Sequence, residues 1–184
     1  MSTIAGTRPA LAGPATSLRH RLVSVQEARL ARDVVLLLAR LALAWVFLYH
    51  GAGKLFDYKH QGGIAGTTLF FHMEGIPLPH LFAYVVGLTE FCGGLLLLVG
   101  LAVPLAGLAL TVDMLVAIIT ATAATGLLPK ALPGGIVADG FEINLALGAL
   151  ALVVAVLGAG RFSLDRLIGL TAAAPPGRPS VDRQ

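Results

Sequence analysis

The sequence predicts an all-α membrane protein: a bundle of four transmembrane helices with both termini in the cytoplasm. Hydrophobic residues make up 57% of the 184 residues and charged residues only 12%, about half the charged share of a soluble domain. The apolar residues form four long segments, and the arginines concentrate before the first segment and after the last. A compact soluble domain is excluded, because so few charged side chains could not cover its surface.

Each apolar segment is long enough to cross about 30 Å of hydrocarbon at about 1.5 Å per residue of helix. The segments span residues 34–56, 81–101, 103–127 and 141–159. A tight turn at Gly100 and Pro104 separates the second from the third, and Gly158 follows the fourth, where glycine commonly ends a helix. We therefore expect one membrane domain over residues 33–168.

Basic residues predict the orientation of this domain. The loops on one side contain only Lys59 and Lys130, whereas nine arginines flank the other side: Arg8, Arg19, Arg21, Arg29, Arg32, Arg161, Arg166, Arg178 and Arg183. Because cytoplasmic segments are enriched in Lys and Arg, both termini are predicted to be cytoplasmic. Residues 1–32 would form a tail with an interfacial helix at 18–32, and residues 169–184 a disordered tail.

The distribution of charge and cysteine also limits the partners. The basic residues form no single face, so the lipid bilayer and not nucleic acid is the predicted partner. Cys92 is the single cysteine of the sequence, which excludes an intramolecular disulfide and a cysteine-rich metal site. The loop residues His72, Glu74 and His80 match no strong metal signature, so no metal site is predicted.

The apolar stretch 67–73 in the same loop is too short to span the membrane, and we expect a re-entrant or interfacial segment there.

Ionisable residues inside membrane helices are costly and usually functional. Arg40, His50 and Lys54 fall within an arc of about 80° on the first helix. Gly51 shares that arc, and Gly94 lies on the small-residue stripe of Glu90, as is typical of helix interfaces. The candidate site residues therefore point into the bundle: His50, Lys54, Glu90, Asp113 and Glu142, with Arg40, Gly51 and Gly94 in structural roles.

Depth along the helices predicts the ion pairs. Counted from the cytoplasmic ends, Arg40 lies at about 10 Å and both Glu90 and Asp113 at about 15 Å, so Arg40 is expected to reach one of them. Lys54 and Glu142 both lie at about 30 Å and are expected to pair, with His50 at about 25 Å between the layers. Two interpretations remain open. In one, these groups serve only to hold the helices together; in the other, they line a polar cavity that transfers protons or binds a redox head group.

The sequence resembles the DoxX family of small four-helix membrane proteins. The resemblance covers residues 34–168 in order and rests on Arg40-Leu41, Trp45 to Phe56, Gly75-Ile76-Pro77, Glu90 to Leu101, Asp113 to Ala117, Glu142 and Gly160 to Asp165. It implies a multi-pass protein of the bacterial plasma membrane, in a family whose members are often labelled quinol oxidoreductase subunits. Some relatives work with soluble partners in redox stress or thiol balance.

The leading hypothesis is therefore a component of a membrane redox system, with a polar intramembrane cavity for a quinone or a proton-linked step. Lys54 and His50 would bind or protonate carbonyl oxygens, and the carboxylates would accept protons. The sequence carries no flavin, haem or dithiol signature, so electrons would come from a bound quinol or a soluble partner at the cytoplasmic face. The alternative is a non-catalytic scaffold that recruits a soluble enzyme, and a homo-oligomer is compatible with either.

Overall fold

The structure is a computed structural model that describes residues 14–132, 135 and 137–169, with the backbone alone for residues 14–25. The helices are α1 (Pro14–Phe56), α2 (Gly63–Met73), α3 (Pro79–Val99), α4 (Val103–Ala117), α5 (Glu142–Leu157) and α6 (Leu164–Leu167). They are joined by a 3₁₀ turn at Tyr58–His60, a π-helical turn at Ile118–Thr122 and two short antiparallel strands, β1 (Lys130–Ala131) and β2 (Val137–Ala138). The predicted helical character is confirmed.

Three helical stretches are long and apolar enough to cross a membrane: Gln26–Phe56, Pro79–Val99 and Val103–Thr122. Helix α5 is also apolar, but it has 16 residues, about 24 Å at 1.5 Å per residue. The third stretch stops at Thr122, short of the predicted end at residue 127, because the chain turns over residues 123–125 before Gly126, whose φ is 98°.

Helix α1 is continuous from Pro14 to Phe56. The separate interfacial helix expected at residues 18–32 is therefore part of the same 43-residue helix as the first span. Proline suits the first turn of a helix, and no glycine or proline interrupts the chain from there to Gly51. Of the tails expected at residues 1–32 and 169–184, residues 1–13 and 170–184 lie outside the described residues.

The helices pack in two main pairs, α1 with α3 and α4 with α5, and α2 packs on α1 and α3. A single apolar core joins the pairs through side chains that are almost fully buried, among them Leu43, Phe47, Leu97, Leu110 and Val154. This core fills the middle of the bundle and leaves its two ends to polar groups of different kinds.

One end of the bundle, which we call the closed end, contains Arg40, Gly100 and Asp165. The Arg40 side chain is 1% exposed. Its Nε donates to the Leu97 carbonyl at 3.1 Å, and its Nη1 donates to the carbonyls of Ala159 at 2.6 Å and Phe162 at 2.9 Å. The predicted contact of Arg40 with Glu90 or Asp113 is therefore wrong. The guanidinium instead binds one carbonyl in the last turn of α3, where helical partners are lacking, and two carbonyls in the segment between α5 and α6.

Asp165 fixes the turn between α3 and α4 at the same end. Its carboxylate is 1% exposed and accepts hydrogen bonds from the backbone N–H groups of Ala102 at 2.7 Å and Val103 at 3.1 Å. Ala102 has a φ of 49°, a left-handed conformation that residues with a Cβ rarely adopt. The chain after α5 thus folds back across the bundle and holds this turn.

Candidate functional site

The opposite end of the bundle, which we call the cavity end, is where α1 and the π-helical turn finish and where α3 and α5 begin. It encloses a cavity of about 440 Å³. Four phenylalanine rings supply much of the apolar wall: Phe47, Phe70, Phe71 and Phe82. Cavities of this size and apolar character are typical of small-molecule sites.

A buried ion pair lies in the wall of this cavity. The Lys54 Nζ donates to Glu90 Oε2 at 2.6 Å, with side-chain exposures of 25% and 4%. Both residues line the cavity, so the partly exposed lysine keeps hydrogens that a ligand can accept. The predicted pair of Lys54 with Glu142 is therefore wrong.

The relative heights of α1 and α3 explain this difference. Close contacts align the two helices, because a Cβ on Gly51 would lie 2.5 Å from the backbone nitrogen of Phe91, and one on Gly94 would lie 2.9 Å from that of Leu48. With this alignment the end of α3 lies near Arg40, not near residue 34. The sequence-based depths counted α1 from residue 34, six residues before Arg40, so they placed the residues of α1 about 9 Å too far from the cytoplasmic end. Along the bundle axis, Lys54 therefore lies only about one helical turn beyond Glu90.

Gly87 lets the end of α1 approach α3 closely enough for this pair. A Cβ there would lie 2.8 Å from Leu55 Cδ2 and 3.5 Å from Lys54 Cβ. Gly87 is three residues before Glu90 on the same helical face. The lysine stem therefore crosses α3 over the glycine and its ammonium group reaches the carboxylate.

Asp113 is the second buried carboxylate of the cavity. It is 8% exposed, it lies on α4, and its Oδ2 has no hydrogen-bond partner among the described residues. Buried polar atoms are nearly always hydrogen-bonded. An acceptor without a partner at the wall of a cavity indicates a place where a ligand or water can donate a hydrogen bond.

The other predicted residues are divided between the cavity and its surroundings. His50 lines the cavity and is exposed, one helical turn before Lys54. Glu142 is the first residue of α5, is exposed and lies outside the cavity lining. Gly51 and Gly94 contact the neighbouring helix, as described above. The cavity thus brings together four of the five predicted catalytic candidates.

Sequence reasoning missed four polar residues of the lining: Thr120, Thr122, Asp139 and Asn144. The Asn144 Nδ2 donates to Thr122 Oγ1 at 3.3 Å, which links α5 to the π-helical turn. A lone asparagine in an apolar helix is itself a signal, since polar residues in membrane helices tend to face other helices. Asp139 lies in a loop, where an acidic residue gives no comparable signal.

The apolar loop stretch at residues 67–73 belongs to α2. Its Phe70 and Phe71 line the cavity, and Phe71 is buried. Thr67 and Thr68 donate to backbone carbonyls one turn earlier, so neither hydroxyl needs an outside partner. Helix α2 therefore covers one side of the cavity with aromatic rings.

Within residues 14–132, 135 and 137–169, no group of three or more His, Cys, Asp or Glu residues is arranged to hold a metal ion. The polar side chains of the cavity can form hydrogen bonds and transfer protons. Lys54 donates, Glu90 and Asp113 accept, and the His50 imidazole can do either, depending on its tautomer.

Comparisons with known proteins agree with this architecture. Residues 35–123 match the model of the DoxX family. The Bacillus subtilis (strain 168) protein named "Putative oxidoreductase CatD" is 34% identical over 88 residues, which cover 48% of this chain and 60% of that relative. The match thus spans less than two thirds of the length of this curated relative. No solved structure matches the chain significantly.

Proposed function

Because residues 35–123 belong to the DoxX family, we propose that this membrane protein serves in a membrane redox system and binds a quinone head group in its cavity. The observation that carries the proposal is the composition of the cavity wall. One half-buried lysine–carboxylate pair, and one carboxylate oxygen without a partner among the described residues, lie in a mostly apolar wall that includes four phenylalanine rings. The name of the Bacillus subtilis relative, an oxidoreductase, supports the same class of chemistry.

The proposed roles follow from the hydrogen-bonding capacity of each group. Lys54 donates to a ring oxygen while it remains paired with Glu90. Asp113 accepts a hydrogen bond or a proton at the unpartnered Oδ2. His50, on the wall one turn from Lys54, passes protons between the cavity and its surroundings. Arg40 and Glu142 have no role in this chemistry.

The quinone supplies the two-electron chemistry, since its ring interconverts between dicarbonyl and dihydroxy forms. A soluble redox partner, or a second quinone-linked protein, would exchange the electrons. The phenylalanine rings exclude water and hold the apolar body of the ligand. A cavity of about 440 Å³ lies within the usual range for small molecules.

We also propose that α5 is the fourth span of a 33–168 membrane domain in the bacterial plasma membrane, with both tails in the cytoplasm. Exposed arginines support this orientation, because Arg29, Arg32, Arg161 and Arg166 surround the closed end. Positively charged residues of this kind favour the cytoplasmic side. The cavity end would then face outward, away from the cytoplasm.

The test is a titration of the purified protein in nanodiscs with a soluble short-chain quinone. We expect Glu90→Gln and His50→Ala to weaken binding, Glu90→Gln by about tenfold, because it removes the charged partner that orients Lys54. Glu142→Gln is the matched control, since it neutralises an exposed carboxylate outside the cavity, and it should bind like the wild type.

Absence of quinone binding by folded wild-type protein would contradict the proposal. That outcome favours the second candidate, a scaffold that recruits a soluble enzyme through the exposed arginines of the closed end. A scaffold has no need of a ligand in the cavity, so none of the variants would then differ from the wild type in the titration.

A further inference from the structure

Asp113 differs from the other polar groups of the cavity in having an unmet hydrogen-bonding need. Glu90 is satisfied by Lys54, and Asn144 by Thr122. Asp139 is exposed, so water can satisfy it. The Asp113 side chain is 8% exposed, and its Oδ2 has no partner among the described residues.

We propose that Asp113 determines which oxidation state of the ring the cavity prefers, selecting the dihydroxy form over the dicarbonyl form. The inference rests on the proposed function and adds a specificity-determining residue to it. An ionised carboxylate has only acceptors. A ring hydroxyl can donate a hydrogen bond to the Asp113 carboxylate. A ring carbonyl has no hydrogen to donate, so both its oxygen and the buried Asp113 oxygen would lack a hydrogen bond.

Among the remaining polar groups of the lining, the Asp139 carboxylate is also an acceptor, but it is exposed and keeps its contact with water. The groups that carry donors do not distinguish the two ring forms. The Lys54 ammonium retains hydrogens beyond the one given to Glu90, and it can donate equally to a carbonyl or a hydroxyl oxygen. His50 can present either a donor or an acceptor, and the Thr120 hydroxyl can rotate to do the same. A dihydroxy ring can accept from Lys54 with one hydroxyl and donate to Asp113 with the other, so it satisfies both side chains. A dicarbonyl ring can only accept, so it satisfies Lys54 but not Asp113.

Substitutions at Asp113 separate recognition from simple packing. Asp113→Asn keeps the shape of the side chain and introduces an NH₂ donor, which can bind a ring carbonyl. Asp113→Leu removes donors and acceptors together and keeps the number and branching of the side-chain heavy atoms. If Asp113 only supported the helix bundle, both variants would change the affinity for the two ring forms equally. Glu142→Gln is the control, because it also replaces a carboxylate by an amide, at an exposed position outside the cavity lining.

The experiment measures the affinity of the full-length protein in nanodiscs for a short-chain benzoquinone and for its dihydroxy form, without oxygen and at pH 8. We expect wild type and Glu142→Gln to bind the dihydroxy form about tenfold more tightly. The preference should disappear in Asp113→Leu and should disappear or reverse in Asp113→Asn. Circular dichroism and size-exclusion chromatography establish that each variant is folded.

Each alternative outcome is informative. Equal affinity of the wild type for the two forms overturns the inference and leaves the proposed function standing. A preference that survives Asp113→Leu also overturns it, because another group must then select the ring form. If folded wild-type protein binds neither form, both the inference and the proposed function fail.

Discussion

Arg40 and Lys54 lie on the same helix, yet they bind different kinds of partner. Arg40 donates to three backbone carbonyls at the closed end, whereas Lys54 donates to a carboxylate at the cavity. The planar guanidinium has five N–H donors in a fixed fork and suits several fixed acceptors, and the ammonium suits one strong charge. The arginine therefore stabilises the fold, and the lysine remains available for chemistry.

The Lys54–Glu90 pair predicts a strongly non-additive effect on stability. Lys54→Met should lower the free energy of unfolding by about 3 kcal/mol, because Glu90 then keeps a buried charge without its partner. The double variant Lys54→Met with Glu90→Gln should be more stable than Lys54→Met alone, since no uncompensated charge remains. The free energies of unfolding of Lys54→Met, Glu90→Gln and the double variant can be measured in detergent mixtures. If the effect of the double variant equals the sum of the two single effects, the pair is not coupled.

Sequence reasoning identified four of the five ionisable residues that line the cavity, but not their partners. His50, Lys54, Glu90 and Asp113 stand out because ionisable residues are rare in apolar helices. The partners of Arg40 could not be predicted, since they are backbone carbonyls, and every residue type carries one. Whether Glu142 faces inward depends on where α5 begins, and a shift of one residue rotates a side chain by about 100°.

Among the elements, α1 and α3 form the contact that sets the height of Lys54 relative to Glu90. The contact depends on Gly51 and Gly94, where an added Cβ would meet backbone atoms of the opposite helix. Glycine at such positions allows membrane helices to approach closely. The ion pair at the cavity therefore depends on residues that carry no charge.

Replacing Gly51 by alanine should disturb this contact. The new Cβ would lie 2.5 Å from the Phe91 backbone nitrogen, and helix backbones cannot yield as a flexible side chain does. We expect a loss of about 1–3 kcal/mol in the free energy of unfolding. Gly66→Ala in α2 is the control, because its Cβ would lie 3.7 Å from its one near neighbour. Equal stability of the two variants would contradict the prediction.

The sequence predicted which helices are present better than it predicted the residues at which they begin and end. Long apolar stretches identify α1, α3 and α4, because a membrane requires length and apolar composition together. The extension of α1 back to Pro14 lies in a mixed polar segment, where apolar content does not distinguish a helix from an interfacial piece. The π-helical turn at Ile118–Thr122 has no sequence signature, since it differs from an α-helix only in its hydrogen-bond spacing.

On the scale of the molecule, the two ends of the bundle differ in how completely their polar groups are hydrogen-bonded. At the closed end, Arg40 and Asp165 together bind five backbone groups. At the cavity end, Asp113 keeps an acceptor without a partner among the described residues. The apolar core lies between the two ends and separates the cavity from the closed end.

The proposed orientation predicts the side from which each end can be labelled. In a Cys92→Ala background, Asp139→Cys at the cavity end should react with a membrane-impermeant maleimide added to intact cells. Arg166→Cys at the closed end should react only after the membrane is permeabilised. Both positions are exposed, so access and not burial decides the result. Labelling of Arg166→Cys alone in intact cells would reverse the orientation.

The separation of the two ends has a consequence for how this protein can vary. Arg40 and Lys54 are 14 residues apart on one helix, about 21 Å, and changes that far apart usually have additive effects. Ligand preference can therefore be altered through the cavity lining at little cost to the contacts that fix the helix ends. A change in the cavity lining outside the Lys54–Glu90 pair therefore leaves the closed end, and its share of the stability, intact.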